Sequence, residues 1–109
     1  MYVNLPPPIG GSGPEQAGRR PAILVLSDAS ATNNPMTMVV PITSQLSALR
    51  FPHTFRVEPS PVNGLTAPSA VLVFQLRAVG HGRLDRVIGR LEDNYLQTLD
   101  AEMRRMLGL

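Results

Sequence analysis

Three short stretches of this 109-residue chain gather the side chains from which phosphate or acid–base chemistry can be built. The first is Glu15-Gln16-Ala17-Gly18-Arg19-Arg20-Pro21, a carboxylate and two guanidiniums just ahead of an apolar run. The second is Pro41-Ile42-Thr43-Ser44-Gln45, two hydroxyls and an amide at the end of another run. The third is Phe74-Gln75-Leu76-Arg77, an amide and a guanidinium inside a third. Arginine presents a planar fork of donors that suits phosphate. In a curled antiparallel sheet the ends of neighbouring strands can gather at one rim, which would bring the three stretches together. Each also has a plainer reading. Paired arginines before a strand are usually a solvated edge, and Thr-Ser after one is usually a turn. Gln75 among apolar neighbours must be hydrogen-bonded if it is buried, so it either ties down a loop or faces a ligand.

Composition removes several other chemistries. There is no cysteine, so neither a disulfide nor a thiolate nucleophile is available. His53 and His81 are the two histidines and stand in no zinc-like spacing; they read as surface or hinge residues, and no metal site is expected. No stretch is apolar and long enough to span a bilayer and no signal peptide opens the chain, so a cytoplasmic, membrane-free protein is expected. All ten basic residues are arginine. Residues 1–91 hold eight of them against Glu15, Asp28, Glu58 and Asp85, whereas the remainder holds Arg104 and Arg105 against four acids. Such a basic body suits a polyanion or an acidic peptide, although an arginine-for-lysine habit of the genome accounts equally well for the missing lysines.

The elements that must position these residues are short. The length indicates one domain, residues 1–109. Eleven prolines and nine glycines argue for many turns rather than a bundle. Residues 2–5 read as a strand end and 6–18 as a Pro/Gly-rich loop. Residues 22–27 and 36–42 read as strands buried on both faces, with a turn over 28–35. Pro41 cannot donate to a ladder, so the second should end or meet an edge there. Residues 53–58 alternate, with Phe55 and Val57 on one face and Thr54, Arg56 and Glu58 on the other. Asn63-Gly64 predicts a tight turn, 69–79 a long strand and 86–91 a short last one. Asp93 is the expected N-cap of a closing helix to about Leu107, stopped by Gly108. Leu96, Leu99, Met103 and Met106 or Leu107 form its apolar stripe. The fold class is therefore mainly β with a C-terminal α-helix, a small curled sheet or barrel.

The same stretches carry a family resemblance. Glu15-Gln16-Ala17-Gly18-Arg19-Arg20-Pro21 resembles the E-Q-x-G-x-R-P motif of MazF/PemK toxins. Val40-Pro41-Ile42-Thr43-Ser44 resembles their V-P-I-T-S strand end. Gly64-Leu65, then Ser69-Ala70-Val71, then Gln75-Leu76-Arg77 resemble G-L, S-x-V and D-Q-I-R, and Ile88-Gly89-Arg90-Leu91 resembles I-G-x-L. The blocks keep the family's order and spacing from residue 2 to the end. Two departures stand out. Met1-Tyr2-Val3 begins inside the family's R-G-D-V-x-W strand, either because the start is misassigned or because the first strand is short and barrel closure is affected, and Phe74 replaces an aspartate.

The resemblance implies an SH3-like barrel, an isologous homodimer, and a sequence-specific, metal-independent and cofactor-free endoribonuclease that cuts single-stranded RNA and not DNA. It implies Arg20, Thr43 and Glu15 as catalytic residues, with Gln75, Ser44, Gln45, Arg77 and Arg19 in contact with substrate and loop 6–18 as a lid. It implies an antitoxin partner with an acidic tail. The alternative is a non-catalytic toxin of the related CcdB branch, which binds DNA gyrase.

Overall fold

The computed structural model describes residues 2–4, 19–25, 35–84 and 86–109. Among the described residues the strands are β1 (Tyr2–Asn4), β2 (Arg19–Leu24), β3 (Met36–Thr43), β4 (Thr54–Val57), β5 (Ser69–Leu72) and β6 (Arg77–Gly80), and α1 (Asp93–Leu107) is the α-helix, with short 3-10 turns between them. All pairings are antiparallel, and β3 is the hub. It pairs with β2 along one side and with both β5 and β6 along the other, giving the order β1-β2-β3-β5-β4 with β6 also on β3. Among the described residues the ladder is open between β1 and β4. The fold class read from the sequence holds, with a curved sheet and a C-terminal helix. The expected loop 6–18 and most of the turn over 28–35 lie outside the described residues.

The sheet has two chemically distinct faces because side chains alternate along a strand. Val40 and Ile42 of β3, Val57 of β4, and Val71 with Val73 beyond it point to one side, where they pack with Leu99 of α1. Tyr95, Met103 and Met106 complete the helix stripe there, and Phe55 stacks on Tyr95 at 6.5 Å. Leu96 and Leu107, expected in that stripe, are exposed. Ala22, Val39 and Val79 form a smaller cluster on the other face, with Leu84 packed against it. That thinner cover is why β2 is not buried on both faces: Ile23 and Val25 face the helix, whereas Leu24 is 37% exposed. Leu26 and Ser27, also predicted in that strand, are outside the described residues.

The long strand expected over 69–79 is interrupted. Ile42 faces Val71, so an unbroken partner would place Phe74 opposite Val39; Val39 instead faces Arg77. The three surplus residues are a 3-10 turn, Val73–Gln75. Val40 and Pro41 are the β3 residues left without a partner on this side. Pro41 has no N–H to donate, and it is here that the neighbouring chain leaves the ladder. The strand itself runs through Pro41 to Thr43, so proline breaks one ladder rather than ending the strand.

A second correction concerns residues 86–91, which form no strand. They cross the turn over 61–63 instead, held by the Arg90 amide donating to the Val62 carbonyl at 2.8 Å. The crossing is too close for side chains: a Cβ on Gly64 would lie 2.1 Å from the Ile88 oxygen, and one on Gly89 would lie 2.4 Å from the Asn63 carbonyl. Gly64 also has φ +73°, as the predicted tight turn requires. Asn63 is buried; its Oδ1 accepts from the Ser60 and Leu65 amides, and its Nδ2 donates to Glu58 O and Glu92 Oε1. Glu92, not Asp93, is the residue at the helix cap, and it makes no side-chain capping bond. Its carboxylate is spent on Ser60 and Asn63, and these bonds hold its pKa below the usual carboxylate value, Ser60 Oγ at 2.7 Å contributing most. At the far end Gly108, φ 73°, terminates the helix as predicted.

Candidate functional site

The antiparallel register brings the first two stretches together. β2 and β3 pair as Ala22 with Pro41, Ile23 with Val40 and Leu24 with Val39. The last observed pair is Ala22 with Pro41; extended two residues further, the same register would bring Arg20 opposite Thr43. Opposed residues share a face, with Cβ atoms about 5 Å apart. Across the sheet, Thr43 pairs with Ala70 and Ala70 with Arg56, so Arg20, Thr43, Ala70 and Arg56 form one row on the face away from α1. Arg77 pairs with Val39 and lies on that face too, four residues along β3, roughly 13 Å from Thr43 at about 3.3 Å per residue.

Each member of the row has a distinct setting. Arg20 is half-buried and its Nη2 is closed off from solvent. Thr43 is buried at 9% exposure, and its Oγ1 accepts the Gln45 amide at 3.1 Å. An oxygen that accepts this bond keeps its own proton for an outside acceptor. Ser44 and Gln45 follow on the surface at the same strand end. Arg56 is exposed and ion-paired to Glu58, two residues on along the same face.

Gln75 corrects the sequence reading. It is exposed in the 3-10 turn rather than buried within a strand, so its amide is accessible to a ligand. Arg77 is exposed at the head of β6. Arg19 opens β2, its backbone paired with Asn4. Glu15 and the proposed lid lie outside the described residues. The end of β3 thus carries Thr43, Ser44 and Gln45, the extended β2 register points Arg20 toward them, and Gln75 and Arg77 flank the next stretch of β3.

Two features escaped sequence reasoning. Arg56 belongs to the row, and the alternation over 53–58 was the signal: the residue on the polar face of β4 looks across Ala70 to Thr43. The second is an aromatic pair, Phe51 and Phe74, standing at the surface with ring centroids 5.8 Å apart. His53 lies between Phe51 and β4 with φ 59°, a conformation uncommon for a non-glycine residue. Its half-buried ring places Nδ1 3.8 Å from Glu102 Oε2.

Comparison with known proteins bears on this arrangement. A sequence model of the family described as PemK-like, MazF-like toxin of type II toxin–antitoxin system matches residues 1–107. Endoribonuclease EndoA of Bacillus subtilis (strain 168) is 26% identical over 108 residues, covering 99% of this chain and 90% of its own. The structure of MazF (Form-I) from Deinococcus radiodurans superposes with a TM-score of 0.73 at 23% identity, over 99% of this chain and 91% of that one. An endoribonuclease in complex with its cognate antitoxin, from a mycobacterial species, superposes with a TM-score of 0.70 at 20% identity, over 84% of each chain.

Proposed function

The chain belongs to the PemK-like, MazF-like toxin family of type II toxin–antitoxin systems, and from that premise we propose that it is a toxin endoribonuclease that cuts single-stranded RNA at a short sequence, using the row headed by Arg20 and Thr43. The observation that supports the site is the β2–β3 register, observed from Leu24 opposite Val39 to Ala22 opposite Pro41, which on extension brings the Arg20 guanidinium toward the Thr43 hydroxyl on the face away from the helix.

RNA brings its own nucleophile. The 2′-oxygen attacks the adjacent phosphorus, its proton passes to a base, and the bond from phosphorus to the 5′-oxygen breaks as that oxygen takes up a proton. The fragments carry a 2′,3′-cyclic phosphate and a 5′-hydroxyl. Such a step asks a protein to hold the phosphate in line, stabilise charge on its non-bridging oxygens and move protons. It needs neither a protein nucleophile nor a metal. The Arg20 fork holds the phosphate and neutralises it. The Thr43 hydroxyl, already accepting the Gln45 amide, donates to a non-bridging oxygen. Arginine keeps its proton near neutrality, so Glu15 is the proposed base or orienting group. Ser44, Gln45, Gln75, Arg77 and Arg19 contact bases or phosphates. DNA lacks the 2′-hydroxyl and is not cut.

The relative solved with its cognate antitoxin supports an antitoxin partner here as well. We assign it an acidic tail laid over the face that carries Arg20, Arg56 and Arg77, and we assign the toxin a cytoplasmic homodimer. The decisive experiment incubates the purified chain and Arg20→Ala with a long single-stranded RNA in EDTA. Discrete fragments ending in cyclic phosphate, from the unaltered chain alone, are expected. Intact RNA from a folded protein would overturn the reading.

A further inference from the structure

The exposed aromatic pair lies outside both core clusters of the sheet. Phe51 is 44% exposed and Phe74 40%, in a protein with only three phenylalanines. Within the 3-10 turn, Val73 is buried and Leu76 after it packs into the helix-side core, while Phe74 and Gln75 face out. The backbones that carry the two rings are fixed to each other. The Phe51 amide closes the preceding turn on Ala48 O at 3.1 Å, its carbonyl accepts Thr54 Oγ1 at 2.9 Å, and the Val73 amide donates to His53 O at 3.0 Å. The positive φ of His53 falls at this junction. Strain of this kind persists only where the surroundings over-determine it, and it concentrates at ligand sites.

The surroundings identify the chemistry of the occupant. The Arg50 guanidinium lies 4.9 Å from the Phe51 ring centroid, and Arg77 is exposed three residues beyond Phe74. No acidic residue occurs between Met36 and Val57 or between Pro59 and Leu84. Two rings tilted 58° to each other, one of them covered by the Arg50 guanidinium and carried on segments without carboxylates, suit a flat, uncharged ring attached to a phosphate chain. The turn that bears Phe74 stands beside Val40 and Pro41, next along β3 from Thr43, within reach of the same strand of RNA.

We infer that Phe51, Phe74 and Arg50 form a platform on which one unpaired base of the substrate stacks, beside the base or phosphate contacts of Gln75, and so hold the strand for those contacts. This rests on the ribonuclease reading above. Stacking on an aromatic side chain tolerates any base but adds substantially to binding, so the platform holds the strand in place while neighbouring polar groups read it.

The test uses the whole protein carrying Thr43→Val, which is expected to slow turnover, and a short single-stranded RNA containing the mapped cleavage sequence, bound on a timescale shorter than cleavage. Phe51→Leu and Phe74→Leu keep apolar bulk and remove the π-face; each is expected to weaken binding roughly tenfold or more, with Phe74→Trp restoring it. One abasic position in the RNA should weaken binding to a similar degree, and on that RNA Phe74→Leu should cost nothing further. Sedimentation should show an unchanged oligomeric state. Equal binding by the leucine variants, or equal loss on every abasic RNA, overturns the inference. Loss accompanied by subunit dissociation overturns it too, and makes the rings a contact between copies of the chain. If the unaltered protein neither cuts nor binds RNA, the ribonuclease reading falls and takes this inference with it; cleavage with leucine variants that bind normally removes this inference alone.

Discussion

The Gln45 amide donates to Thr43 Oγ1 across 3.1 Å, a bond between residues two apart at the turn that ends β3. It fixes the hydroxyl oxygen and directs the proton away from the backbone. Thr43→Val keeps the shape and removes the oxygen. Loss of one neutral hydrogen bond should cost about 1 kcal/mol of stability, whereas loss of a donor to a developing oxyanion should lower cleavage about 10²- to 10³-fold. Thermal melts and initial rates of RNA cleavage, measured together, separate the two effects. Cleavage within threefold of the unaltered protein would remove Thr43 from the site.

Arg20→Lys tests whether charge or geometry matters opposite Thr43. Lysine keeps the cation and loses the planar fork. A fall in kcat of about tenfold or more, with a smaller change in KM, is expected if the guanidinium holds the phosphate in line at the transition state. A change confined to KM would mean that Arg20 serves only to attract the strand.

Gly64→Ala and Gly89→Ala should each destabilise the fold by about 3 kcal/mol or more, because the added carbon meets backbone that cannot turn aside. Denaturant midpoints provide the measurement. Gly82→Ala serves as the control, since nothing lies within 4 Å of its added carbon; its midpoint should barely move.

Glu92 gives a pH dependence of known sign. Its carboxylate is held below the ordinary value, first by the Ser60 hydroxyl. The charged form is therefore favoured by folding, and its contribution is complete above the unfolded-state value near ~4.3. It disappears as pH falls through the lower folded-state value. Glu92→Gln should melt below the unaltered protein at pH 7, and the difference should shrink as pH falls past about 4. A gap that stays constant down to pH 2 would contradict the assignment.

How much of this was legible in the sequence depended on how local the signal was. β3, β4, the Gly64 turn and the extent of α1 follow from alternation, special backbone positions and helix periodicity, all of which act within a few residues. That β2 and β3 would bring the segments of Arg20 and Thr43 toward one another could be expected from motif order, since antiparallel neighbours bring the start of one strand to the end of the next. The break at Val73–Gln75 was not. Residues 69–79 have every propensity for a continuous strand, and what interrupts them is Pro41, more than thirty residues away in the sequence and adjacent only in the sheet. The same holds for 86–91, whose apolar character suits a strand but whose Gly89 answers to the main chain at Asn63. Glu92 displaced Asp93 from the cap for a similar reason: its partners, Ser60 and Asn63, belong to another turn.

The gap that Pro41 opens in one ladder also bears on how such a protein can change over generations. In a continuous ladder, altering the length of a segment slides every later residue to the wrong face. Here the surplus residues already lie outside the pairing, anchored by Val73 and Leu76 at either end. Substitutions at Phe74 and Gln75, and even a residue gained or lost between the anchors, can be absorbed without disturbing Arg77 or the β3 residues it faces. On the proposed function, recognition can drift at that position while the row of Arg20 and Thr43 is inherited intact, so descendants could acquire new target sequences.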